Sequence, residues 1–179
     1  MLEPRALVVS VALLAGIGSV SSAARADESA DSGVPDTPAW RANTGLVTGL
    51  GLGLLVPEEG SPGIGVELSG RYGIPAGPVI VAPGALIGGY YLQSRFIGDL
   101  LGTFRVTLPL GPLAPFGQGG VGPGFITNPS EGGLAWLGGG GLMIHFGGVL
   151  TIGAEVNYQG ITGTGYKALS IGPTIVIGG

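Results

Sequence analysis

The chain has 179 residues, of which 39 are glycine, 10% are charged and none is cysteine, with a formal net charge of −4. Disorder needs low hydrophobicity and high net charge, and a mean hydropathy of +0.54 excludes it for most of the chain. Seven Lys and Arg residues spread over the whole length make no phosphate-tracking stripe, so no nucleic-acid partner is expected, and without cysteine there is no disulfide, thiolate nucleophile or cysteine metal site.

Residues 1–26 read as an export signal. Arg5 closes a short charged start, Ala6 to Val20 form an apolar run, and Ala24-Arg25-Ala26 supply the small-residue cleavage pattern. The apolar run is 15 residues long, short of the roughly 20 that a transmembrane helix requires. Residues 27–43 are acidic and rich in Ser, Pro and Asp, and read as a flexible lead-in ending near Trp40. Helix is not expected beyond it, because glycine or proline interrupts almost every ten-residue window.

From Thr44 the apolar residues alternate, and turn-forming clusters recur at even spacing. Eight extended runs result, at 44–56, 63–74, 78–92, 99–110, 114–126, 132–146, 149–160 and 166–178. The separators are PEEGS, PAG, QSRFIG, GPL, TNPSE, Gly147-Gly148 and ITGTG. Gly147-Gly148 has the composition of a two-residue hairpin turn.

The second, fourth, seventh and eighth runs each have one greasy and one polar row. Ile64, Val66, Leu68, Tyr72 and Ile74 oppose Glu67, Ser69 and Arg71, and Leu100, Phe104 and Val106 oppose Thr103, Arg105 and Thr107. Ile152, Val156 and Tyr158 oppose Thr151, Glu155 and Asn157, while Leu169, Ile171, Ile175 and Ile177 oppose Ser170, Gly172 and Thr174. The first, third and fifth runs show no decisive alternation, so their faces stay unassigned.

A soluble barrel turns the apolar row inward and a transmembrane barrel turns it outward. The polar rows here are small and sparsely charged, whereas a soluble domain carries roughly a quarter charged residues. Small inward residues also suit an eight-stranded barrel, whose interior is filled by side chains. Aromatic residues near the run ends suggest two interfacial girdles. One comprises Tyr90, Tyr91, Phe125, Trp136, Tyr158 and Tyr166, the other Trp40, Tyr72, Phe116 and Phe146. A charge on lipid at mid-depth costs about 2–4 kcal/mol, so Glu67, Arg71, Arg105 and Glu155, which share the inward parity, are expected to form a lumen charge network with Arg105 paired to Glu155. The expected fold is therefore all-β: an eight-stranded antiparallel up-and-down transmembrane β-barrel over residues 44–179.

These residues resemble the small eight-stranded outer-membrane β-barrels of Gram-negative bacteria, the superfamily of the OmpA barrel domain, OmpX and OmpW. The most similar stretches are Ala114 to Gly122 (APFGQGGVG) and Gly147 to Tyr158 (GGVLTIGAEVNY). The resemblance implies location in the outer membrane, a periplasmic N-terminus, tight periplasmic turns, outward-facing connections at PEEGS, QSRFIG, TNPSE and ITGTG, and insertion by the barrel-assembly machinery. Such barrels commonly end on an aromatic residue, where this sequence has Ile177-Gly178-Gly179.

Gly117 to Gly122 matches G-x-G-x-x-G, but Pro123-Gly124 follows in place of the helix a nucleotide fingerprint needs, and no cofactor is expected. His145 is the single imidazole and has no serine or carboxylate near it in sequence, which favours a lumen or rim residue over a general base. Glu58-Glu59 reads as a solvated turn. With connections of only five or six residues, no dedicated binding surface is expected in the loops. The expected role is structural or permeability-related and non-catalytic, as a monomer in contact with outer-membrane lipid. Two alternatives are a soluble periplasmic or secreted barrel around an apolar ligand, and a lipid-modifying barrel enzyme using His145.

Overall fold

The protein is described from a computed structural model covering residues 37–146 and 150–178. The expected signal peptide, most of the lead-in and the Gly147-Gly148 turn lie outside the described residues. A short helix, α1 (Pro38–Asn43), precedes eight strands: β1 (Gly45–Pro57), β2 (Gly63–Ala76), β3 (Val79–Leu92), β4 (Arg95–Thr107), β5 (Leu113–Ile126), β6 (Glu131–Phe146), β7 (Leu150–Ile161) and β8 (Lys167–Gly178). They form one closed barrel in sequence order. Each strand is antiparallel to the next, and β1 closes on β8, with Val47 opposite Gly178 and Pro57 opposite Ala168. Strands of 12 to 16 residues exceed the roughly 9–11 that a tilted transmembrane strand needs.

Two local expectations are corrected. QSRFIG is not a six-residue loop: Arg95 pairs with Leu92 and Ile97 with Tyr90, so only Gln93 and Ser94 turn the chain, with Gln93 at φ 56°. Apolar packing of Ile97 inside and of the Phe96 and Phe125 rings outside extends the ladder to the turn. The segment read as a flexible lead-in ends in a helix over residues 38–43. Thr37 caps them by accepting a hydrogen bond from the Trp40 N–H at 3.2 Å, and Pro38 occupies the first turn, a start signal for a helix. Two turns are not stable alone; α1 is held by burial of Ala39, Trp40 and Ala42 and by an Ala39 N–H···O=C Gly111 hydrogen bond of 3.2 Å.

The closed sheet assigns every face. In β1, Leu46, Leu50, Leu52, Leu54 and Val56 point outward, and Gly49, Gly51 and Gly53 lie between them on the inner row. In β3, Ile80, Ala82, Leu86 and Tyr90 are inside, and in β5, Ala114, Phe116, Gln118 and Ile126. Large apolar side chains therefore cover the outside, while Glu67, Arg71, Arg105 and Glu155 are buried within. The soluble alternative requires the reverse arrangement. With charges inside, apolar rows outside and no free sheet edge, the barrel matches lipid as its outer solvent.

Register explains much of the glycine. Glu67 lies opposite Gly51 on one neighbouring strand and Gly88 on the other. Glu155 lies opposite Gly141 and Gly172, and Asp99 opposite Gly88 and Gly124. Each inward acid is thus flanked on both sides by residues without a side chain, which leaves the narrow lumen room for it. Gly65 does the same for an aromatic ring: a Cβ there would stand 2.1 Å from Tyr90 Cδ1.

Candidate functional site

The lumen is layered along the barrel axis. Toward the end carrying the connections 58–62, 93–94, 127–130 and 162–166, Leu55, Leu86, Tyr90, Ile97, Leu101 and Ile126 form part of an apolar cluster. Toward the other end, Val47, Ala114, Phe116, Met143 and Val176 pack with Ala39 of α1. A polar belt lies between these closures.

Arg105 centres the belt. It stands opposite Gln118 across β4 and β5, and Gln118 Oε1 accepts from its Nε at 3.0 Å and its Nη2 at 2.5 Å. The same Nη2 reaches Glu155 Oε2 at 3.4 Å, an ion pair with both side chains at most 10% exposed. The guanidinium carbon lies 3.7 Å above the Phe116 ring centroid, within cation–π range. Gln118 Nε2 donates onward to Asn157 Oδ1 at 2.9 Å. On the β2–β3 side, Tyr90 donates to Glu67 Oε1 at 2.9 Å and Arg71 to Ser69 Oγ at 2.9 Å. Glu67 Oε2, Thr103 Oγ1 and Asn157 Nδ2 are buried without a hydrogen-bond partner among the described residues.

All four side chains of the expected charge network lie in this belt. Tyr90, Gln118, Asn157 and Asp99 join them; Asn157 was read on the polar row of its run, Tyr90 was assigned to a girdle, and Gln118 and Asp99 were not singled out from sequence. Gln118 and Tyr90 fall in the runs whose faces had no alternation to read. Asp99 shares the parity of Arg105, and its Oδ1 accepts from the Gly88 N–H at 3.0 Å.

The aromatic expectation needs correction at four positions. Tyr91, Phe125, Tyr158, Tyr72 and Phe146 are exposed on the outer face, and Trp136 packs edge-on against Tyr158 with ring centroids 5.3 Å apart. Tyr90 and Phe116 instead face the lumen, Trp40 is buried in α1, and Tyr166 packs against the loop-end cluster. Tyr90 and Tyr91 are strand neighbours and point to opposite faces, so one of them had to be inside. Phe96, absent from the expected girdle, lies outside against Phe125.

His145 is inward and 5% exposed. Its Nε2 lies 2.8 Å from Asn43 Nδ2, and its Nδ1 3.2 Å from the Pro112 carbonyl oxygen. Gly117 to Gly122 is part of strand β5. Among the described residues no three His, Asp or Glu side chains converge as metal ligands would.

A closed eight-stranded barrel with an apolar exterior and a plugged, charged interior defines the class as a transmembrane β-barrel. The comparisons agree on the fold. No protein-family model and no curated protein sequence matches the chain. Among solved structures, Neisserial surface protein A superposes with a TM-score of 0.59 at 8% identity, covering 75% of this chain and 96% of that one. Ail, the attachment invasion locus protein of Yersinia pestis, gives 0.54 at 14% identity over 75% and 98%. The outer membrane enzyme PagL gives 0.53 at 13% identity over 73% and 98%. The chain has the fold of the small eight-stranded outer-membrane barrels, a group whose named members include both surface proteins and an enzyme.

Proposed function

We propose that this chain is a non-catalytic structural barrel of the bacterial outer membrane, a monomer surrounded by lipid, inserted by the barrel-assembly machinery and closed to solutes. The observation that carries the reading is the layered lumen. A solute would have to displace the loop-end apolar cluster, then part the Arg105–Glu155 pair, then pass α1. Parting the pair would leave two buried charges without each other, which is costly in a lumen closed from water.

A lipid-modifying activity has less support. His145 is engaged on both ring nitrogens by Asn43 and a backbone carbonyl, and neither is a nucleophile. The chain reconstituted into planar bilayers tests the proposal: a silent membrane is expected, and sustained conductance steps that persist in purified folded protein would overturn it. Unaltered lipid after incubation is the matching expectation for the catalytic question. Hydrolysed lipid lost on His145→Ala would establish the enzyme reading.

A further inference from the structure

Above the loop-end apolar cluster the barrel opens into a pocket of about 380 Å³, within the size range of small-molecule sites. Its walls come from opposite sides of the barrel: Pro57 and Lys167 from the β1–β8 seam, Ile97 and Ile126 from β4 and β5. Ile97 and Ile126 belong to the apolar cluster, so the pocket has a greasy floor and no exit below.

The charges around the mouth divide into two kinds. Glu58 is committed to structure: Tyr158 donates to its Oε1 at 2.5 Å, Lys167 Nζ lies 4.0 Å from its Oε2, and its N–H donates to the Lys167 carbonyl oxygen. These bonds tie the β1–β2 connection to β7 and β8 and preform the opening. The side chains of Glu59 and Arg95 also line the pocket and have no hydrogen-bond or ion-pair partner among the described residues. Tyr166 supplies a third polar group. Its hydroxyl oxygen accepts from Gln159 Nε2 at 3.0 Å, leaving its proton without an acceptor among the described residues. Burial pushes the phenol up to about 12, so that proton stays in place at physiological pH.

We propose that this mouth binds a short apolar peptide in its zwitterionic form. Arg95 and the Tyr166 hydroxyl receive the carboxylate, Glu59 receives the ammonium, and the peptide side chains rest on Leu92, Ile97 and Ile126. The loops are too short to form a binding surface by themselves, and the site lies in the barrel mouth instead. Because the floor is closed, the site captures a ligand without passing it on.

The probe is leucyl-leucine, titrated calorimetrically into the full chain folded in detergent micelles, beside its N-acetylated and C-amidated forms. Saturable binding is expected for the free dipeptide, weakened about fivefold by either cap. In Arg95→Gln the amide makes a smaller difference than in the wild type, because the Tyr166 hydroxyl remains, and in Glu59→Gln the acetyl group makes none. Absence of saturable binding to the folded wild type overturns the proposal. Equal binding of doubly capped and free peptide also overturns it and marks a general apolar site. Equal sensitivity to both caps in every variant removes the assignment of Arg95 and Glu59. The capped peptides on wild type alone suffice should either variant fail to fold.

Discussion

Asn43 Nδ2 lies within hydrogen-bond distance of both the Ala39 carbonyl oxygen and His145 Nε2, at 2.8 Å each. An amide nitrogen donates only, which makes Nε2 of His145 the acceptor and puts the ring proton on Nδ1, toward the Pro112 carbonyl oxygen at 3.2 Å. One side chain therefore ties the end of α1 to the barrel wall. Asn43→Ala leaves the inward Nε2 without its donor and is expected to cost about 1 kcal/mol. Urea unfolding from lipid bilayers checks it, and protease cleavage near residue 40 is expected to speed up in the same variant.

Arg105 is the side chain on which the polar belt depends. Arg105→Ala removes the ion pair to Glu155, two hydrogen bonds to Gln118 and the stack on Phe116, and leaves a buried carboxylate uncompensated. A loss of about 3–5 kcal/mol is expected, with part recovered on adding Glu155→Gln. An unchanged unfolding midpoint for the single variant would rule out an energetic role for the pair.

Glycines of the two faces should respond oppositely to a methyl group. Gly65→Ala drives a Cβ into the Tyr90 ring, which cannot retreat without losing its bond to Glu67; a loss of about 1–3 kcal/mol follows. Outward-facing Gly138 has nothing within 4 Å of an added Cβ, and Gly138→Ala is expected to be neutral within about 0.5 kcal/mol. Parallel unfolding of the two variants reads the difference directly.

Leu52 is 54% exposed near the middle of β1. Leu52→Arg places a cation on lipid at mid-depth and should cost about 2–4 kcal/mol in a bilayer. The same substitution at a water-facing site would be nearly neutral, so the size of the loss reports the solvent that Leu52 meets.

Strand number, the four assignable faces and the inward parity of Glu67, Arg71, Arg105 and Glu155 were legible because one row of each such strand is apolar and the other is not. Strands β1, β3 and β5 were opaque for two different reasons. The middle of the inner row of β1 is Gly49, Gly51 and Gly53, which carry no polarity signal, and the inner row of β3 holds the apolar Ile80, Ala82 and Leu86, with Leu86 in the loop-end apolar cluster. A lumen that is greasy at its ends and charged at its middle breaks the simple alternation of a water-filled one. Helix α1 was missed although Thr37-Pro38 announces it, because its stability comes from the barrel wall that buries Ala39 and Trp40. Trp40 and Phe116 were placed on lipid by their nearness to strand ends; height along the barrel is readable from sequence, but face was not readable where alternation fails.

The central claim is that the apolar rows meet lipid, and the most direct measurement is gel mobility with and without boiling, made on the outer-membrane and soluble fractions of cells expressing the chain. A folded membrane barrel resists SDS until heated. The structure predicts a heat-dependent shift confined to the outer-membrane fraction. Protein recovered from the soluble fraction, with one mobility before and after boiling, would contradict it.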